Sequence, residues 1–172
     1  MALLVDQEEI LITGTLDLNK EPTAMEAASS SHQKKPGYFC CRSGTLMASL
    51  NTDRTGYVSG ETIQFLVEVE NLSSNDMDSI DLRLVELVTF KACEGKRLVE
   101  WVVECLSWSE KILAKTEDDW EGSLTLPALH PTGLGGHCHI IDLQYRLELL
   151  VKPAGRSSLL VVSLPIILGT EG

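Results

Sequence analysis

"NTDRTGYVSGETIQFLVEVENLSS", residues 51–74, opens as a turn and closes as a strand with two unlike faces. Beyond Glu61, the residues Ile63, Phe65, Val67 and Val69 alternate with Gln64, Leu66, Glu68 and Glu70, the period-two pattern of a strand with one face in a core. Ahead of it, Tyr57-Val58-Ser59-Gly60 supplies a glycine at which the chain can take a positive φ and reverse. Behind it, Asn71-Leu72-Ser73-Ser74 supplies side chains that bond their own backbone and end the strand. The stretch is a framed sandwich strand, and it contains no nucleophile or ligand set.

Similar runs lie on either side at the spacing of a β-sandwich. Leu46, Ala48 and Leu50 mark a strand before it. After it, residues 80–91 set Leu82, Leu84, Val88 and Phe90 on one side, with Glu86 interrupting. Leu124 and Leu126 mark a short strand before Pro127. In "HIIDLQYRLELLV" (139–151), Ile141, Leu143, Tyr145, Leu147, Leu149 and Val151 read as inward against outward Asp142, Gln144, Arg146 and Glu148. "SLLVVSLPIIL" (158–168) is so continuously apolar that it predicts a strand covered on both faces. The segment "RLVEWVVECLSWSEKIL" (97–113) fits both periods, because Trp101, Cys105, Trp108 and Ile112 recur at helical spacing while Val99, Trp101, Val103 and Cys105 alternate. Its β-branched and aromatic content favours a strand. The expected fold is all-β, an immunoglobulin-like antiparallel β-sandwich.

Composition bounds the rest. A chain of 172 residues, 44% of them hydrophobic, buries one full core, hence one main domain. A formal charge of −11 opposes binding to nucleic acid or anionic membrane, both of which need clustered Lys and Arg. The start, Met1-Ala2-Leu3-Leu4-Val5 running into Asp6, has no basic segment and too short an apolar run for a signal peptide or a membrane span, so a cytoplasmic protein is expected. The odd number of cysteines, five, suits free thiols in a reducing compartment. Residues 21–39 are rich in small and polar residues and read as a linker, leaving 1–20 as one isolated strand and 40–170 as the sandwich.

Four landmarks in order then carry a family resemblance: "GTLMASLNTDRTGYVSGETIQFLVEVENLSS" (44–74), "DWEGSLTLPALHPT" (119–132), "CHIIDLQYRLELLV" (138–151) and "LLVVSLPIILGT" (159–170). Over about residues 40–170 the chain resembles the C-terminal arrestin domain, most closely that of the α-arrestins, the arrestin-domain-containing and thioredoxin-interacting proteins. "LDLNKEP" (16–22) is similar to the junction at which the family's N-terminal domain ends. The resemblance implies that 1–20 is a remnant strand of an absent N-terminal arrestin domain and that the chain is a fragment or a truncated isoform. It implies an adaptor joining membrane-protein cargo to trafficking and endocytic proteins, with no enzyme activity, cofactor or small-molecule substrate. Ubiquitin ligases would be recruited only through a tail bearing Pro-Pro-x-Tyr motifs, and this sequence contains no Pro-Pro pair. Ser59 stands where the family usually has proline before the glycine, which loosens the turn. With its neighbours lost, the strand at residues 8–18 is expected to self-associate or stay unpaired, and removal of residues 1–35 to leave a core of 44–168 that folds and is more soluble.

The chemistry-bearing residues read mostly as structure. His137-Cys138-His139 and Cys40-Cys41 hold soft ligand atoms, but neighbours on a strand point to opposite faces and zinc needs spaced pairs. Cys40-Cys41 as a lipidation pair lacks a polybasic flank. Gly133-Leu134-Gly135-Gly136 precedes a strand and not a helix, so it is a flexible turn and not a phosphate cradle. Asn71-Leu72-Ser73 matches a glycosylation sequon that has no meaning in the cytosol. At least two of Trp101, Trp108 and Trp120 are expected to fill the core, and the carboxylates sit on outward strand faces. No nucleophile signature appears, and no protein-binding loop is legible. An extracellular immunoglobulin-like or fibronectin-like adhesion domain is the alternative the same pattern allows.

Overall fold

A computed structural model describes residues 14–34, 44–92, 95–136, 138–154 and 159–172. These form nine strands and two short 3₁₀ turns: β1 (Ala28–Lys34), β2 (Leu46–Thr52), β3 (Gly56–Val58), β4 (Thr62–Asn71), β5 (Met77–Ala92), β6 (Gly95–Trp108), β7 (Thr116–Thr125), β8 (Ile141–Pro153) and β9 (Leu160–Gly169), with the turns at Leu18–Lys20 and Thr132–Gly136. A four-stranded sheet in the order β1-β2-β4-β7 stacks on a five-stranded sheet in the order β3-β9-β8-β5-β6. Every long pairing is antiparallel; the three-residue β3 alone runs parallel, beside β9.

The period-two reading of β4 holds: Ile63, Phe65, Val67 and Val69 are all buried, against Leu46, Ala48 and Leu50 of β2 in the same layer. From the facing sheet come Leu82 and Leu84 of β5, then Leu143, Tyr145, Leu147, Leu149 and Val151 of β8. Phe65 and Trp108 meet edge to face across the layers, with centroids 6.1 Å apart. The segment of double periodicity is strand through Trp108, and Trp108 and Trp120 pack partly against the core while Trp101 does not.

Four expectations need correction. The linker expected at 21–39 contains β1, which pairs along its whole length with β2 from Ala28 opposite Thr52 to Lys34 opposite Leu46. An edge strand with largely exposed side chains has no need of apolar alternation, so its Ser-rich sequence hid it. β9 is covered on one face only: Leu160, Val162, Leu164, Ile166 and Leu168 are buried, while Val161, Ser163 and Pro165 face out. The chain has two sheets and no third layer of described residues, so the outer face of β9 stays open. Phe90 is 44% exposed, because it falls at the exposed end of β5, where Phe90, Lys91 and Ala92 all lie open to solvent. The short strand at Leu124 is the end of a ten-residue strand whose acidic start, Glu117 to Asp119, gave no strand signal.

The segment before β1 is also tied down. Leu18 donates its N–H to Glu171 O (2.8 Å), Thr170 donates to Leu16 O (2.8 Å), and the Leu18 side chain is buried beside Gly169. Ala24 is fully buried, and its carbonyl accepts from Thr55 and Gly56 at the entry to β3. Residues 14–26 thus belong to this sandwich, against the expectation that the strand ending there has no partner; residues 8–13, named in that expectation, lie outside the described residues.

Candidate functional site

At one end of the sandwich, the turn at Thr132–Gly136 winds left-handed, with φ of 60° at Gly133, 51° at Leu134 and 69° at Gly135. Two of these three positions are glycine, as that region of φ demands. Leu134 tolerates the strain with its side chain packed on the core. Gly135 faces a second restriction, since a Cβ there would stand 2.4 Å from Thr15 O. The glycine run is therefore a fitted cradle for the segment at 14–18, not a free turn. Thr132 Oγ1 accepts from Leu168 N (2.9 Å), which fastens the same turn to β9.

Two buried tyrosines lock the adjoining loops. The Tyr145 hydroxyl lies 3.0 Å from His130 O and 3.3 Å from a Glu86 carboxylate oxygen. Tyr57 donates to Asp53 Oδ1 (2.7 Å), with Arg54 O at 2.8 Å and the Arg54 guanidinium 4.7 Å from the ring centroid. Burial, reinforced by the neighbouring carboxylates, pushes both phenols well above the usual tyrosine range. A phenol whose folded pKa is raised adds stability that is fully present below the unfolded value of about 10 and is lost as pH climbs beyond it. Unfolding midpoints are therefore expected to fall above about pH 10, and to fall less steeply in Tyr145→Phe, at a cost near 1 kcal/mol at neutral pH. Denaturant titrations at a series of pH values check this; parallel curves for the two proteins would refute it.

Ser59, read from sequence as loosening its turn, has the opposite role: its hydroxyl donates to Leu129 O and accepts from Leu129 N, both at 3.0 Å. No signal in the sequence pointed to this contact between residues 70 apart. Asn71 of the sequon is fully buried, its amide donating to Asn75 O (2.9 Å) and Leu113 O (3.0 Å), so its nitrogen is a turn fastener inside the fold.

Among the described residues, no three His, Cys, Asp or Glu side chains come together as a metal site. Cys105 is exposed on β6, and Cys138 is half-buried. His137, Cys40 and Cys41 lie outside the described residues. The acidic side chains gather on the outer face of the four-stranded sheet, where Glu68 sits opposite Asp119 and Glu70 opposite Glu117. Directly opposed like charges weaken a strand pair. Ser49 Oγ (2.7 Å) and Asn51 Nδ2 (3.2 Å) donate to Glu68 and relieve one of them. The groove there, about 700 Å³, is open and lined by carboxylates and serines with Met47, Ala48, Leu66 and Val69 among them, unlike the enclosed, mostly apolar cavities that take small molecules.

What the geometry does offer is backbone. β1 and β7 are the edges of one sheet and β6 is the long edge of the other, so among the described residues each leaves one side of its N–H and C=O groups unpaired by a neighbouring strand. A profile of the family described as "Arrestin (or S-antigen), C-terminal domain" matches residues 42–172. The chain belongs to the arrestin C-terminal domain family. It is 28% identical over 158 residues to human arrestin domain-containing protein 1, covering 92% of this chain and 35% of that protein. To human arrestin domain-containing protein 4 it is 26% identical over 165 residues, covering 95% of this chain and 38% of that protein. The rat form of the first is 27% identical over 162 residues, with 92% and 35% covered. This arrestin domain therefore spans a little over a third of the length of these curated relatives. The match to the family begins after β1, whereas the aligned share of the chain in these relatives reaches into the N-terminal segment that the Gly135 cradle holds.

Proposed function

We propose that this arrestin domain is a protein-interaction adaptor that takes extended segments of partner proteins along a free sheet edge. Membership of the arrestin C-terminal family, combined with an edge strand of short side chains, carries the reading. β1 reads Ala28-Ser29-Ser30-Ser31-His32-Gln33-Lys34, with small residues over its first half that let a partner backbone approach closely. Affinity would come from ladder hydrogen bonds and specificity from alternate side chains of the added strand. The partners in this reading are cytoplasmic tails of membrane proteins and components of trafficking and endocytosis. The working place is cytoplasmic, at the plasma membrane or endosomes. Ubiquitin ligases with WW domains are reached through a proline-rich tail and not through this segment, and the protein is not an enzyme.

Titration with peptides from cytoplasmic tails of plasma-membrane proteins is expected to give saturable binding, with new protection from amide exchange at β1. Isolated WW domains are expected to give none, because the sequence has no Pro-Pro-x-Tyr. Protection appearing only away from the sheet edges would overturn the docking mode. Micromolar WW binding would overturn the assignment of ligase docking to another segment.

A further inference from the structure

Among the described residues, β6 is the least covered strand. It lies outermost in its sheet, and Leu98, Trp101 and Val102 are 54%, 59% and 54% exposed. Long flat edges of this kind are normally blunted by proline, a bulge or inward charge. β6 has no proline, and its irregularity comes late: Val102 pairs with Val85 and Glu104 with Leu84, so Val103 is the extra residue and 95–102 run regular.

We propose that β6 recognises a second copy of this chain. Two β6 strands pair antiparallel with Glu100 opposite Glu100, joining the two five-stranded sheets into one. The register follows from the faces. Leu98, Glu100 and Val102 stand opposite Thr89, Leu87 and Val85 and share one face; Arg97, Val99 and Trp101 stand opposite Phe90, Val88 and Glu86 and share the other. A two-fold axis normal to the sheet keeps like face with like face, which admits only pairings of residues of equal parity. Centred on Glu100, Leu98 meets Val102 and Val99 meets Trp101, each twice by symmetry. Centred on Val99, Leu98 meets Glu100 and Lys96 meets Val102. Centred on Trp101, Leu98 meets Glu104 and Glu100 meets Val102. The first register alone matches apolar with apolar on both faces.

Charge supports the same arrangement. The two Glu100 carboxylates on the axis repel, and each is offset by Arg146 Nη2 at 3.1 Å, a guanidinium it shares with Glu148 at 2.7 Å. Antiparallel pairing also lays the basic start of one strand, Lys96 and Arg97, beside Glu104 of the other, whereas a parallel pairing would set like against like.

Sedimentation of the whole chain over a concentration series is expected to show a monomer–dimer equilibrium. Leu98→Glu or Val102→Lys, each placing a charge against an apolar partner twice, is expected to weaken it by about a hundredfold or more. Mixing the two variants is expected to restore a dimer, because the two new charges then face each other while the remaining Leu98 meets the remaining Val102. Both positions are more than half exposed, so unchanged circular dichroism, and thermal midpoints matching the wild-type chain at dilutions where it is monomeric, confirm that the variants fold. A wild-type chain monomeric at every concentration, single variants that still dimerise, or a mixture that stays monomeric would each overturn the proposal; in the first case the edge is left for an unrelated extended peptide.

Discussion

A chain beginning at residue 27 is expected to lose about 5 kcal/mol of stability or more relative to one that includes 14–26, a large part of the 5–15 kcal/mol that holds a typical domain. Leu18 is 3% exposed, and its loss alone falls in the range of about 2–5 kcal/mol measured for emptied leucine sites. The truncation also strips the N–H groups of Thr55 and Gly56 of their acceptor, Ala24 O, and leaves the left-handed turn at Thr132–Gly136 without the backbone it cradles. Each buried group left unsatisfied adds roughly 1–3 kcal/mol, less where water enters. Leu18→Ala isolates the packing part: a cost of about 3 kcal/mol, or roughly 6–12 °C in Tm for a chain of this size. Thermal unfolding of the truncated chain and of the point variant checks both. A truncated chain with the original midpoint would mean that the segment is an appendage, as its sequence suggested.

That contrast shows what was legible. β4 and β8 were, because a strand between a core and water must alternate, and their inward residues are buried at positions 63, 65, 67 and 69 and 143, 145, 147, 149 and 151, with Leu150 alone buried on the other face of β8. β9 misled because burial is a one-way rule: apolar residues such as Val161 and Pro165 are tolerated outside, so a continuous apolar run does not prove two covered faces. β1 and the acidic half of β7 were hidden because edge strands are held by backbone ladders, which leave little mark on side-chain pattern. The same fact hid the free sheet edges. An edge is a property of sheet order, and sheet order depends on which strands meet at long range, as with β1 beside β2 or β3 beside β9. The glycine run was read correctly as a turn, but its second restriction, the Thr15 backbone against Gly135, is a contact across more than a hundred residues that no local pattern announces.

Asn71→Ala is expected to cost about 3–4 kcal/mol, an unusually large effect for one polar side chain. The side chain is fully buried, and all of its polar atoms are used. Nδ2 donates to Asn75 O and Leu113 O, while Oδ1 accepts from Ser73 N (3.2 Å) and Ser73 Oγ (2.6 Å), which joins the β4–β5 turn to the loop before β7. Alanine leaves these partners facing a small apolar group, and a network of this kind loses more than its separate bonds suggest. Asn71→Asp separates the electrostatics from the shape. It keeps both acceptor contacts but turns a carboxylate oxygen toward two carbonyl oxygens, so burial and repulsion raise its folded pKa above the unfolded value of about 4. The protonated acid can still donate one hydrogen bond, so the defect relative to the wild-type chain is smallest below about pH 4 and grows as pH rises through the raised folded value. Denaturant unfolding of the three proteins from pH 4 to 8 tests this. An alanine deficit constant with pH beside an aspartate deficit that widens is the expected result, while an aspartate variant as stable as wild type at pH 7 would show that water, and not Asn71, satisfies the Leu113 and Asn75 carbonyls.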